Sequence, residues 1–289
     1  VARRRRWNAL PYLLVLPSLV LIVLIEVYPL AVALVESLHD GTLLHEGSFV
    51  GIQNYRELWQ LDEFRHALVF SALFATGNVV GSYVLGLAFA LLLNRRDLGG
   101  RGFFRFALLL PWIMPSIVSI TSWRWLIADQ SGLLNVALQL IGLGPVYFLS
   151  SDYLAMLSVT VIKIWRSFPI MMIACLAVLN RIDGDLYEAA TVDGAGRWQS
   201  FRFVTFPELL RTSVILWILT AIWSVNDFDT PWLLTQGGPA NATGNLIVLA
   251  YKYTFTVNDV GRGTAMTFYA LAVLLLGVIL LVREPAEGL

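Results

Sequence analysis

The chain has 289 residues, of which 57% are hydrophobic and only 14% charged, with zero formal net charge and a mean hydropathy of +0.70. Soluble domains carry about a quarter charged residues, so this composition excludes one and makes a lipid bilayer the solvent. The basic residues sit at the ends of apolar runs and leave no footprint for nucleic acid, and the single Cys175, inside an apolar run, cannot form an internal disulfide.

Arg3 to Arg6 precede an apolar run from about residue 10 to 35. That run exceeds the roughly 7 to 15 residues of a signal-peptide core and has no A-x-A cleavage signature, so a retained first membrane helix is expected. Five further runs, about 67–93, 103–125, 153–179, 209–225 and 264–282, reach the roughly 17 to 25 residues that cross the hydrocarbon. The expectation is a single all-α membrane domain over 1–289 with six transmembrane helices and both termini on one side. Within the third run, Pro111 and Pro115 remove backbone donors and are expected to kink it.

Cytosolic flanks hold an excess of Lys and Arg. With the N-terminus inside, that side carries Arg3 to Arg6, Arg95, Arg96, Arg101, Arg105, Arg181, Arg197, Arg202, Arg211 and Arg283. The outer loops carry only Arg56, Arg65, Lys252 and Arg262, with Arg124 at the outer end of the third run. The first outer loop, residues 36–66, contains FVGIQNYRELW with the spacing of an interfacial helix. The second, residues 129–152, holds an apolar piece at 133–141 too short to span, read as a short helix on the outer rim.

Two polar sets at membrane depth need a reason. In the fourth run Lys163, Trp165, Arg166 and Pro169 interrupt the apolar sequence, and a basic residue at the bilayer centre costs about 2.5 to 3.5 kcal/mol. Lys163 and Arg166 must line a cavity, snorkel, or pair with an acid near the outer end of the fifth run. There Trp223, Ser224, Asn226, Asp227, Asp229 and Trp232 form the second set. These side chains suit sugar hydroxyls and pyranose faces, and equally an aromatic belt.

The longest polar interruption of the second half, residues 181–207, contains DLYEAATVDGAGRWQSFRFVTFP from Asp185 to Pro207. It is expected to open with a short helix capped by Asp185 with Glu188 reaching back. Ala189 and Ala190 form a slim face, Gly194 and Gly196 end the helix, Arg197 to Thr205 add an amphipathic piece, and Pro207 suits the start of the next helix.

The spacing of Glu188, Ala189, Ala190, Gly194, Val204 and Pro207, with Phe206 where Leu is usual, resembles the EAA loop of permease subunits of binding-protein-dependent ABC importers. FVGIQNY, the Trp165 to Pro169 region, Asp193-Gly194-Ala195, and Thr235, Gly237, Gly238, Pro239 and Thr243 extend the likeness almost end to end and resemble the carbohydrate branch. The resemblance implies a coupling helix contacting an ATPase through Asp185, Glu188, Ala189, Ala190, Asp193, Gly194 and Pro207. Apart from the resemblance, the gathering of polar side chains too costly to face lipid places the expected substrate path between the fourth and fifth runs, by Lys163, Trp165, Arg166, Trp223, Asn226, Asp227 and Asp229. The implied partners are a second homologous permease, two ATPase subunits and an extracytoplasmic solute-binding protein, in a prokaryotic cell membrane with both termini cytosolic.

This chain has no G-x-x-x-x-G-K-[ST] loop, so ATP and Mg are expected on the partner ATPases, with no cofactor, metal or catalytic residue here. A membrane protease would show H-E-x-x-H or G-x-S-x-G, and neither occurs. The alternatives are a permease for a glycerol-phosphate-type or other polar solute, and a standalone secondary transporter, which would show an internal repeat.

Overall fold

The structure, a computed structural model, describes residues 10–45, 47–95 and 97–283. Arg3 to Arg6 and Arg96 lie outside the described residues, as do the side chains of Arg211 and Arg283. Among the described residues the secondary structure is helical apart from one bridge between His39 and Phe49. In chain order the helices are α1 (Leu10–Ile22), α2 (Tyr28–Glu36), α3 (Gln53–Leu58), α4 (Asp62–Asn94), α5 (Arg101–Ile113), α6 (Ser116–Leu126), α7 (Leu133–Leu140) and α8 (Asp152–Leu179). They continue as α9 (Gly184–Val192), α10 (Arg197–Ser200), α11 (Phe206–Val225), α12 (Asp229–Thr235), α13 (Leu246–Tyr251) and α14 (Val260–Arg283).

Four helical stretches, 12–36, 62–94, 152–179 and 260–279, are long and apolar enough to cross a bilayer. The expected six are reached when two bent pairs each count as one span, α5 with α6 and residues 197–210 with 212–225. The third span departs most from expectation. Pro111 is accommodated inside α5, whereas Pro115 ends the helix, and α6 sets off at 94° to α5. The proline ring disfavours the α region for the residue before it, and Met114 is accordingly extended at φ −64, ψ 136. A kink was expected; a break is found.

Two other prolines sit in helical paths without breaking them, by one shared construction. A π turn, Val23–Val27, joins α1 to α2 two residues before Pro29, and a second, Phe201–Thr205, joins α10 to α11 two residues before Pro207. In the second, the Phe206 N–H reaches the Phe201 carbonyl, one residue farther back than in an α-helix. Proline can neither donate to the carbonyl four residues back nor sit close to it, and the wider turn takes up that misfit.

By internal packing the described chain divides into two units, one containing the residues up to Gln60 with Ala250–Phe268, the other Leu61–Leu249 with the residues from Tyr269. In the first, none of residues 12–36 is buried, as for a helix solvated by lipid. The end of α2 is tied to α3, where Asn54 Nδ2 donates to the carbonyls of Ser37 and His39 at 2.9 and 2.8 Å and Tyr55 shares a hydrogen bond with the Ser37 hydroxyl. Arg262 bridges Glu57 and Asp259 in the same unit.

The second unit is built on α4 packed along α8. At their C-terminal ends Ala90, Leu93, Met171, Met172, Cys175 and Leu179 form one cluster; nearer the other end Phe70, Phe74, Val159, Ile162 and Ile120 form another. The helices meet closely at Gly86, where a Cβ would stand 2.6 Å from the Met171 Cβ and 2.8 Å from the Met172 nitrogen. Lipid supplies no hydrophobic drive between helices, so such close backbone approach is what holds them. Hydrogen bonds add to it: Ser213 Oγ to Tyr83 at 2.8 Å and Asn78 Nδ2 to Ser224 at 2.8 Å tie α4 to α11.

Candidate functional site

The segment read as a coupling loop forms α9, a tight turn, α10 and the π turn. The N-cap is Asp183, whose Oδ1 accepts the Asp185 N–H at 3.2 Å. This corrects the expectation that Asp185 is the cap: the helix starts earlier, placing Asp185 in the first turn, where its charge still favours the positive helix end. Glu188 is correspondingly too far along to close a capping box, and it is exposed.

The other end is built as expected. Ala195 N–H donates to the Ala190 carbonyl at 2.9 Å and Gly194 N–H to the Thr191 carbonyl at 3.0 Å, the paired bonds of a Schellman motif. Gly194 supplies the left-handed residue that motif needs, at φ +82. Gly196 N–H then donates to Gln199 Oε1 at 2.8 Å, opening α10, and Tyr187 shares a hydrogen bond with Thr205, holding α9 against the π turn. Leu186, Val192, Trp198 and Phe203 are left exposed, Val192 by 88%. Pro207 lies in the first turn of α11, as anticipated, although α10, the π turn and α11 form one helical path rather than a loop followed by a new helix.

The second site lies where α11 ends. Asp227, its side chain 6% exposed, makes an ion pair with Lys163 of α8, Nζ to Oδ2 at 2.9 Å, the lysine side chain being 12% exposed. The same carboxylate accepts the Thr230 hydroxyl at 2.6 Å and the Thr230 N–H at 3.2 Å, while the Asp227 carbonyl accepts Asn245 Nδ2 at 2.6 Å. Arg166, one turn along α8 from Lys163, donates to Thr230 Oγ1 at 3.3 Å and leaves its Nε buried without a partner. A buried ion pair survives in low dielectric only with such satisfied lone pairs.

The expected residues are therefore only partly brought together. Lys163, Arg166 and Asp227 converge, with Thr230 and Asn245 as members the sequence did not single out. Trp165 packs edge-on against Trp123 at 5.4 Å between ring centres, Asp229 accepts the Ser116 hydroxyl at 2.6 Å, and Asn226 is exposed with its amide on the Ile222 carbonyl at 2.9 Å. Trp223 is 43% exposed. A half-open cavity of about 610 Å³ lies elsewhere, against α4, α11 and α14, lined by apolar residues such as Val79, Trp217, Ala221 and Leu274. It contains none of the expected substrate-path residues, and beyond Thr76, Tyr83 and Trp217 its lining side chains offer a polar solute nothing to bond.

A family model described as the inner membrane component of binding-protein-dependent transport systems matches residues 82–282. The chain is 34% identical over 267 residues to the trehalose/maltose transport system permease protein MalF of Thermococcus litoralis, covering 92% of this chain and 90% of that protein. It is 32% identical over 272 residues to the diacetylchitobiose uptake system permease protein DasB of Streptomyces coelicolor, covering 92% and 83%. In fold it resembles a chain of a bacterial ABC transporter involved in import of the acidic polysaccharide alginate, with a TM-score of 0.83 at 21% identity over 96% of this chain and 95% of that one. The chain therefore belongs to the family of inner membrane components of binding-protein-dependent transport systems, and its all-helical architecture is that of an ABC importer permease.

Proposed function

We propose that the chain is a permease subunit of an ATP-driven carbohydrate importer, working beside a second, similar permease, with two ATPase subunits on the cytosolic side and an extracytoplasmic binding protein delivering the sugar. The observation that carries the reading is likeness to two sugar permeases over 92% of the chain each. ATP and Mg belong to the partner ATPases in this scheme. The arginine asymmetry supports cytosolic termini and a cytosolic 181–207 segment.

In the mechanism that follows, α9 is the docking element, with Asp185, Glu188, Ala189, Ala190 and Asp193 meeting the ATPase, Gly194 closing the helix, and Pro207 leading into α11. ATP binding closes the ATPase dimer, and the permease pair moves between inward- and outward-facing states. ATP can shift that equilibrium only by its differential affinity for the two. Asn226, Asp229, Trp223 and Trp165 are retained as candidate contacts along the sugar path. Lys163 and Asp227 hold its wall, since they are occupied with each other, and Arg166 joins them only through Thr230.

The test is reconstitution of the complete complex in proteoliposomes, with ATPase activity read as the binding protein is loaded in turn with trehalose, maltose, chitooligosaccharides and glycerol phosphate. Stimulation by a carbohydrate is expected. Stimulation by glycerol phosphate alone, or uptake persisting without the ATPase, overturns the reading.

A further inference from the structure

The segment between α6 and α8 is amphipathic in the sense opposite to that of a helix on a water-facing surface. The central polar residue of α7, Asn135, points inward and is fully buried. Its Nδ2 donates to the carbonyls of Asp129 and Val146 at 3.0 and 2.9 Å, and its Oδ1 accepts the Val146 N–H at 2.8 Å. Asp129 closes the other side, accepting the Leu149 N–H at 3.0 Å and the Ser150 hydroxyl. The backbone of this segment is thus bound by its own polar side chains.

Opposite Asn135, at the i, i+3, i+4, i+7 spacing of one helix face, Leu133, Val136, Ala137 and Leu140 are all exposed, Leu133 by 65% and Leu140 by 83%. Ile141 follows at 72%. No residue from 130 to 151 is charged, although Asp129 and Asp152 bracket the segment. Exposed aromatic residues with polar edges precede and follow the stripe in the chain: Trp125 at the end of α6, Tyr147, and Tyr153 at the start of α8.

We propose that residues 129–151 form an in-plane membrane anchor, with the Leu133, Val136, Ala137 and Leu140 stripe sunk into the headgroup–acyl boundary and Trp125, Tyr147 and Tyr153 at headgroup level. Three observations favour lipid over a protein partner. Leu133 and Val136 of the stripe share a shallow depression with Trp125 and Leu126 of α6, which belongs to a membrane-spanning pair. Tryptophan and tyrosine flank it in the manner of an interfacial belt. The absence of charged residues from 130 to 151 matches a surface that must leave water, where helix-lying anchors bury about 5 to 10 Å deep. The internal hydrogen bonding by Asn135 and Asp129 suits such a position, because backbone groups on the acyl side of the boundary lose water as partners. The inference rests on the membrane assignment and is independent of which solute is carried.

The test uses nitroxide labels on single cysteines in a Cys175→Ala background of the complete complex, in nanodiscs of phosphatidylethanolamine and phosphatidylglycerol. Leu140→Cys and Leu133→Cys place the label on the stripe and Gln139→Cys on the polar side; none of the three is buried, so packing is spared. Collision with molecular oxygen over collision with a water-soluble nickel chelate is expected to be several-fold higher at 140 and 133 than at 139, with or without the binding protein. Equal ratios at all three sites would place the stripe in water and overturn the proposal. Protection of 140 from both reagents, appearing only when the binding protein or partner permease is present, would overturn it in favour of a protein seat.

Discussion

The coupling segment around α9 and the cluster around Asp227 are both polar interruptions of an apolar chain, but they are held by opposite means. The segment proposed for coupling is fixed locally: Asp183 caps one end, the Gly194 turn the other, and Asp185, Glu188, Ala189 and Asp193 are left exposed. The Asp227 cluster is fixed by distant residues, with Lys163 and Asp227 sixty-four positions apart in sequence and nearly excluded from solvent. The first therefore has a shape that persists when one surface side chain changes. The second has charges whose removal leaves a partner stranded.

The largest expected effect tests the second half of that contrast. Asp227→Ala leaves Lys163 buried and unpaired, a loss of about 3 to 5 kcal/mol, and should cut the yield of assembled complex. Asp227→Ala with Lys163→Met removes both charges and should restore yield. If the double variant recovers assembly but not uptake, the pair also serves transport; if it recovers neither, the ion pair is not what Asp227 contributes.

The coupling segment should respond differently. Gly194→Val forces a β-branched residue into the left-handed region at about 1 to 2 kcal/mol, a local cost. Complex yield should stay near normal while substrate-stimulated ATPase activity and uptake fall together. Normal uptake by Gly194→Val would remove the turn from the coupling assignment.

Smaller still is the cap. Asp183→Ala should cost about 1 kcal/mol of α9 stability, read as faster amide exchange across 184–192, whereas Asp185→Ala should change that exchange less. The reverse order would return the cap to Asp185.

The smallest effect lies away from both regions and gauges an exposed charge pair. The Glu57 carboxyl is held below its ordinary value of 4.5 by the Gln53 hydrogen bond first and the Arg262 hydrogen bond second. A carboxylate with a depressed folded pKa contributes stability that is complete above its unfolded pKa and fades as pH falls through the folded one. Glu57→Gln should thus lower the unfolding temperature slightly at neutral pH, and the difference from wild type should vanish in acid below the depressed value. Because this pair is partly exposed, added salt should shrink the neutral-pH difference too.

What could be read in the sequence follows the same division. The spans were legible because hydrocarbon thickness sets a minimum apolar length, and the turn at Gly194 because few residues other than glycine take its conformation. The true cap was missed by two residues, since Asp183 and Asp185 carry the same side chain and only the path from Arg181 decides which one precedes the first turn. The break at Pro115 was read as a kink because proline marks the lost donor without saying how far the chain then turns. Lys163 and Asp227 were each recognisable as costly, but the choice between lining a path and pairing depends on which helices face each other. Thr230 and Asn245, ordinary polar residues near a loop, carried no signal until Asp227 was placed beside them.

The helical path from Arg197 to Val225 joins the two regions just contrasted, ending two residues before Asp227. At 1.5 Å per residue α11 traces a path of about 30 Å, bent by 55° where residues 197–210 give way to 212–225. The π turn Phe201–Thr205, where the regular hydrogen-bond ladder is widened ahead of Pro207, is a second irregularity on the same path. A push at the surface end therefore meets two departures from a straight helix before it reaches the carboxylate that Lys163 grips.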